Sequence, residues 1–248
     1  MQEKSGISVI RNVLFATNEG RKESLMILSM KEHLKSFLAA HPEIPDGDRM
    51  QLPDISLDPD SIRIMMISET VPADPEDYFY SRNPEADFMR TTVPIMNSAG
   101  IRVKTMEDII HKGIYITTAT KTPKDGYTVP SDVIRAQLPV LEEELRLFEH
   151  LKIIMLMGDV AKKALNLIAR TQGQKSVIPS GSTYKLRNHE YYYGKIRVLP
   201  SYIITGGNIL IEKSKVQMIQ EDLLLAQKIL SADGISSSDR ERVSQLDE

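Results

Sequence analysis

Four short apolar runs, Arg63–Ile67, Ile114–Thr118, Ile153–Met157 and Ile196–Leu199, most limit the folds open to this chain. Each is too short for an ordinary helix and long enough for a buried strand. Successive runs lie too far apart for tight hairpins, and each leads into a loop or a helical segment, so the strands must be joined by crossovers. Crossovers generate a parallel sheet with helices on both faces, whose strands are continuous apolar runs rather than alternating ones. The expected fold is therefore α/β, a three-layer α/β/α sandwich around a central, mainly parallel four-stranded sheet. With 248 residues and 41% hydrophobic content, one domain can bury a full core.

The flanking segments complete this picture. Lys22–Ala40 places Leu25, Ile27, Leu28, Leu34, Phe37 and Leu38 at helical spacings, which predicts an amphipathic N-terminal helical extension ended by Pro42 and Pro45. A helix from Asp132 to His150 is expected to use Ser131 as its N-cap and to kink at Pro139. Tyr191–Tyr193 reads as an extended arm turning into the last strand, and Lys215–Leu230 as a final amphipathic helix. Residues 1–230 thus form a single domain, and the polar, serine- and charge-rich 231–248 segment reads as a mobile tail.

The chain has no cysteine, which excludes disulfides, thiolate zinc sites and cysteine-ligated iron–sulfur clusters. No apolar run approaches the roughly 20 residues of a bilayer span. The N-terminus also lacks a secretion signal, so a cytoplasmic protein with no membrane partner is expected. The net charge of -3 is unevenly spread, because residues 42–88 hold twelve acidic residues against three basic ones and leave the remainder basic. A basic remainder can meet a phosphate backbone. Phosphate-loop, dinucleotide-turn, zinc-helix and nucleophile-elbow motifs are absent, and the acidic Asp74, Glu76 and Asp77 fit no cation loop, so neither a metal nor a cofactor is expected.

Three segments carry a resemblance. A proline-bearing helix leads into an apolar strand and then Gly158-Asp-Val-Ala161 within Pro130–Leu165; GIYITTATKTP spans Gly113–Pro123; KIRVLPSY spans Lys195–Tyr202. In order and spacing they resemble the uracil-DNA glycosylase superfamily, over roughly Ile62–Leu230. The resemblance implies a cofactor-free DNA glycosylase that hydrolyses the bond between a damaged or deaminated base and deoxyribose, with DNA as partner. It also implies a divergent member: one branch carries a four-cysteine iron–sulfur cluster that this chain cannot build.

Ligands of open parallel sheets bind beyond the carboxyl ends of the strands, so Ser68–Pro72, Thr117–Lys121, Gly158–Val160 and Pro200–Asn208 should converge. By resemblance, Glu69 matches the carboxylate of the family's first motif and would orient water; a solvated or capping glutamate is the alternative. Phe88 takes the place of the base-stacking aromatic, or is a core ring. Thr118 falls where the family reads the base with an asparagine, although one hydroxyl cannot offer an amide's paired donor and acceptor. Lys121 matches a lysine that contacts phosphate. At the last strand Ser201 and Tyr202 run into Ile203, Ile204 and Thr205 where the family has a histidine motif, and Gly206-Gly207-Asn208 is either a nucleic-acid-contacting loop or a plain turn. Ser201, Thr205 and Asn208 are accordingly candidate nucleic-acid contacts. Lys121, Lys185, Arg187, Lys195 and Arg197 are the cations expected to flank the crevice mouth. The absent asparagine and histidine keep open a second reading, a non-catalytic member of the same fold that binds a nucleotide, nucleic acid or protein partner.

Overall fold

The computed structural model describes residues 9–16, 22–126 and 128–234. Strands β1 (Val9–Ala16) and β2 (Lys22–Ser29) form an antiparallel pair that continues to β3 (Ser56–Leu57), with helix α1 (Met30–Ala40) following β2 directly. Next come β4 (Ile64–Thr70), α2 (Asp87–Ser98), α3 (Met106–His111), β5 (Ile114–Thr120), α4 (Ser131–Leu147), β6 (Ile153–Met157) and α5 (Asp159–Thr171). The chain then passes through α6 (Thr183–Leu186), β7 (Tyr191–Tyr193), β8 (Ile196–Ser201) and α7 (Lys213–Gly234).

The central sheet has the order β5-β4-β6-β8-β7. Its first four members are the four predicted strands, and each pairs in parallel with its neighbour, Ile64 facing both Ile114 and Ile153, and Met155 facing Leu199. The tyrosine arm adds a fifth, antiparallel edge strand, with Tyr191 opposite Val198. Every residue of β5 and β6 is buried, as is Ile64–Ser68 of β4, which is why these strands read as unbroken apolar runs. The step from β4 to β5 and the steps from β4 past β6 to β8 run in opposite directions. Right-handed crossovers therefore put α2 and α3 on one face and α4 and α5 on the other. The strand order reverses between β4 and β6, the point at which a crevice opens in such sheets.

Three expectations are corrected. The helix predicted over Lys22–Ala40 occupies only Met30–Ala40; Lys22–Ser29 is strand, held by β1 in an antiparallel ladder that pairs Leu25 with Val13 and Ile27 with Arg11. A boundary signal was available: Ser29 and Glu32 stand in N-cap spacing, and the Ser29 hydroxyl accepts from the Glu32 N–H at 3.4 Å. Ser131 does not cap α4, because Pro130 holds the cap position and Lys163 donates to the Ser131 hydroxyl. The final helix runs on to Gly234, past its expected end at Leu230; the rest of the expected tail, residues 235–248, lies outside those described. No helix among the described residues is long and apolar enough to cross a membrane.

An ion pair is fully buried in the core. Lys121, 1% exposed, follows β5 and folds back beneath it; its Nζ meets Glu144 Oε2 of α4 at 2.6 Å, Thr117 Oγ1 at 2.5 Å and the Thr118 carbonyl at 2.8 Å. Glu144 also accepts from the Tyr115 hydroxyl at 2.6 Å and from Thr117 at 2.9 Å. Burial pushes the Lys121 ammonium below the usual lysine range, and the adjacent carboxylate opposes that shift. Because each charge is compensated only by the other, losing one strands its partner in a dry interior. We expect Lys121→Met to lower the unfolding free energy by about 3–5 kcal/mol, read as a drop in urea midpoint at unchanged m-value. Lys121→Met with Glu144→Gln should recover much of that loss; a single variant as stable as the wild type would mean that the pair contributes nothing.

Candidate functional site

The crevice predicted at the sheet's reversal point exists. A cleft of about 630 Å³ opens where β4, β6 and β8 end, lined among others by Glu69, Gly158, Asp159, Tyr202, Thr205 and Asn208. Glu69 sits on the penultimate residue of β4, and its Oε1 accepts from the backbone N–H of Asp159 at 2.9 Å and of Val160 at 3.2 Å. These are first-turn donors of α5, which no intrahelical carbonyl can satisfy. The glutamate is thus a capping group contributed by the neighbouring strand, and its charge faces the positive end of the helix dipole.

Gly158 makes this approach possible. It has φ +103, a region that favours glycine, and a Cβ built there would lie 2.5 Å from Glu69 Oε1 and 2.8 Å from Ile203 Cγ1. One residue therefore lets β4, β6, α5 and the segment after β8 meet at a single point.

Three of the four segments expected at the crevice converge there: Glu69, Gly158–Asp159 and the loop from Tyr202 to Asn208. The end of β5 does not. Thr118 is fully buried and paired in register with Ser68. The phosphate contact expected at Lys121 is corrected by its burial against Glu144. Phe88 is half-buried and packs edge-on against Phe79, with ring centroids 5.0 Å apart, and against Tyr78 at 6.5 Å; it is not among the residues lining the cleft.

The cations expected at the mouth are also dispersed. Arg187, whose side chain is 10% exposed, grips α7 through Asp222 at 2.8 Å, Glu221 at 3.0 Å and the Met218 carbonyl at 2.7 Å. Ser201 is buried beneath the cleft and donates to Asp222 Oδ2 at 2.6 Å. Burial pushes the Asp222 carboxyl above the usual carboxylate range, while Ser201 and Arg187 draw it back. Lys195 and Arg197 lie at the amino end of β8, opposite the cleft, where Arg197 pairs with Glu190 at 3.0 Å and lies over the Tyr192 ring. Lys185 is exposed on α6. Of the predicted contacts, Thr205 and Asn208 reach the cleft with Glu69.

Several cleft residues were not singled out from sequence. Tyr202, half-buried against the core, lines the cleft with Lys215 Nζ 5.9 Å from its ring centroid, and Lys215 in turn pairs with Glu212. Beside them the 207–211 turn buries Ile209 but exposes Leu210 and Ile211, the latter 76% exposed. An apolar Ile-Leu-Ile triplet directly after a Gly-Gly-Asn turn was the available signal, since exposed aliphatic pairs beside a cleft have no packing role of their own.

Gly158→Ala should disturb the junction without touching the sheet's hydrogen bonds. We expect a loss of about 1–3 kcal/mol from the unfavourable φ and the overlap with Glu69. Amide exchange should quicken at Asp159 and Val160 once Glu69 is displaced; unchanged protection there would refute the close approach.

No family model matches this chain, and no curated protein matches it. Among solved structures it is similar to the wild-type UNG of Nitratifractor salsuginis, with a TM-score of 0.38 and 14% identity over 79% of this chain and 87% of that one. A tyrosine-to-glycine mutant of the same protein gives a TM-score of 0.39 with the same identity and coverage.

Proposed function

We propose that the chain hydrolyses the N-glycosidic bond of a damaged or deaminated base in DNA, with Glu69 as the catalytic carboxylate. The observation that carries this reading is the position of Glu69 at the end of the central strand, inside the cleft at the reversal point and oriented by two backbone donors. Cleavage of such a bond develops positive charge on the sugar, so a fixed anion beside it is stabilising, and a water held by the same carboxylate can attack the sugar carbon. Tyr202 offers a face on which a flipped base can stack, a role that its place in the cleft supports better than the packed ring of Phe88. Asn208 supplies the paired donor and acceptor that a lone threonine lacks. Leu210 and Ile211 suit a wedge that holds open the gap left by an extruded base.

One observation favours the alternative, a non-catalytic protein that binds nucleic acid or a nucleotide in the same cleft. The cleft lining includes no histidine to stabilise the departing base, and capping α5 already accounts for Glu69. The two readings part in an excision assay on oligonucleotides bearing uracil, hypoxanthine or xanthine, single- or double-stranded, scored by alkaline cleavage at the abasic product. Glu69→Gln keeps an oxygen able to accept from Asp159 and Val160, so it should retain the fold and binding while excision falls by about 10²–10⁴-fold. Activity undiminished in that variant would discard the role of Glu69. Wild-type protein that leaves every substrate intact would establish the binding reading.

A further inference from the structure

Of the cations expected at the cleft mouth, Lys121 and Arg187 are buried and Lys195 and Arg197 lie at the far end of the sheet, yet a second basic surface adjoins the cleft. A groove of about 450 Å³ runs between α4, α5 and residues 176–181. It is lined by Arg135 of α4 and by Lys162, Lys163 and Arg170 of α5, with Asp159 as its one acidic member. Lys162 is the compensated cation: its Nζ meets Asp159 Oδ1 at 2.6 Å and Thr183 Oγ1 at 3.1 Å. The others have no carboxylate within ion-pair range among the described residues. Lys163 donates to the Ser131 hydroxyl, Arg170 donates twice to Ser176 Oγ at 3.0 and 2.7 Å, and Arg135 is exposed. Hydroxyl partners orient a cation without neutralising it, so three full charges converge on one groove of a chain whose net charge is -3.

The groove is also preformed. Asn166 of α5 donates to the Ile178 carbonyl at 2.8 Å and accepts its N–H at 2.9 Å, so the far wall is pinned to the helix and costs little to order on binding. Lys163 and Arg170 are separated by about 11 Å along α5 at 1.5 Å per residue, far enough apart to meet different phosphates of one backbone. Asp159 lines both groove and cleft, and Lys162 bonds Thr183 on the cleft side, so the two surfaces are continuous.

We infer that this groove holds the phosphates of the nucleic-acid strand whose target base enters the Glu69 cleft, an inference that rests on the nucleic-acid part of the reading above. Arg135, Lys163 and Arg170 contact the backbone and carry no sequence information.

The test measures binding of fluorescein-labelled single- and double-stranded oligonucleotides by anisotropy across a salt series, with excision followed in parallel. In Arg135→Gln/Lys163→Gln/Arg170→Gln the slope of log Kobs against log salt should flatten by about 2 for single strands and slightly more for duplex. The charge-keeping Arg135→Lys/Lys163→Arg/Arg170→Lys variant should preserve the slope, which separates charge from folding. Lys195→Gln, at the opposite end of the sheet, serves as a control expected to leave it unchanged. An unaltered slope in the glutamine variant, or a slope lost equally in the charge-keeping variant, overturns the groove. Oligonucleotides that fail to bind at low salt overturn it too, even if short inorganic polyphosphate binds. A flattened slope in a protein that excises nothing keeps the groove and discards the hydrolase.

Discussion

The architecture turns on one close approach, the Glu69 carboxylate against the first turn of α5. An α-helix begins with N–H groups that nothing inside the helix can satisfy, and at a strand-to-helix turn those groups point into the crevice beyond the sheet. Here a neighbouring strand closes them, at 2.9 and 3.2 Å. The contact requires Gly158 to be without a side chain, and it draws Ile203, just past β8, to the same point. The ends of β4, β6 and β8 are tied together by this junction, and the cleft is the space left outside it.

That tie constrains the chemistry. With two of its first-turn donors taken by Glu69, the helix N-terminus is a poorer seat for a ligand's phosphate, which shifts anion binding toward side chains. The side chains that conventional reading would choose are committed elsewhere. Lys121 neutralises Glu144 in the core, and Arg187 fastens α7 through Asp222, which also receives the hydroxyl of Ser201. Both networks join elements far apart in the chain, and both spend polar groups from the crevice segments on structure. Among the described residues, Lys163 and Arg170 of α5 meet only hydroxyls.

The cleft itself combines a fixed carboxylate, an aromatic face, an amide and an apolar rim within one wall system, the loop from Tyr202 to Ile211 supplying all but the first. A loop held at one end by buried Ser201 and at the other by the amino end of α7 can carry such groups because neither anchor depends on their identity.

The amino-acid sequence by itself determined the four parallel strands, their order of connection, the turn at Gly158 and the place of Glu69 at a strand end. These follow from local periodicity: a run such as Ile153–Met157, buried on both faces, can be nothing but a central strand once its neighbours are crossovers. The same local logic misread Lys22–Ser29, where apolar residues at helical spacings are held as strand by β1, a partner no window on that segment contains. Only the tertiary structure decided which polar residues face solvent. Lys121 and Arg187 look like surface cations because the carboxylates that neutralise them are not the ones near them in sequence. Their carboxylates arrive from 23 and 35 residues away, and a charge can be buried only where a distant segment brings its partner.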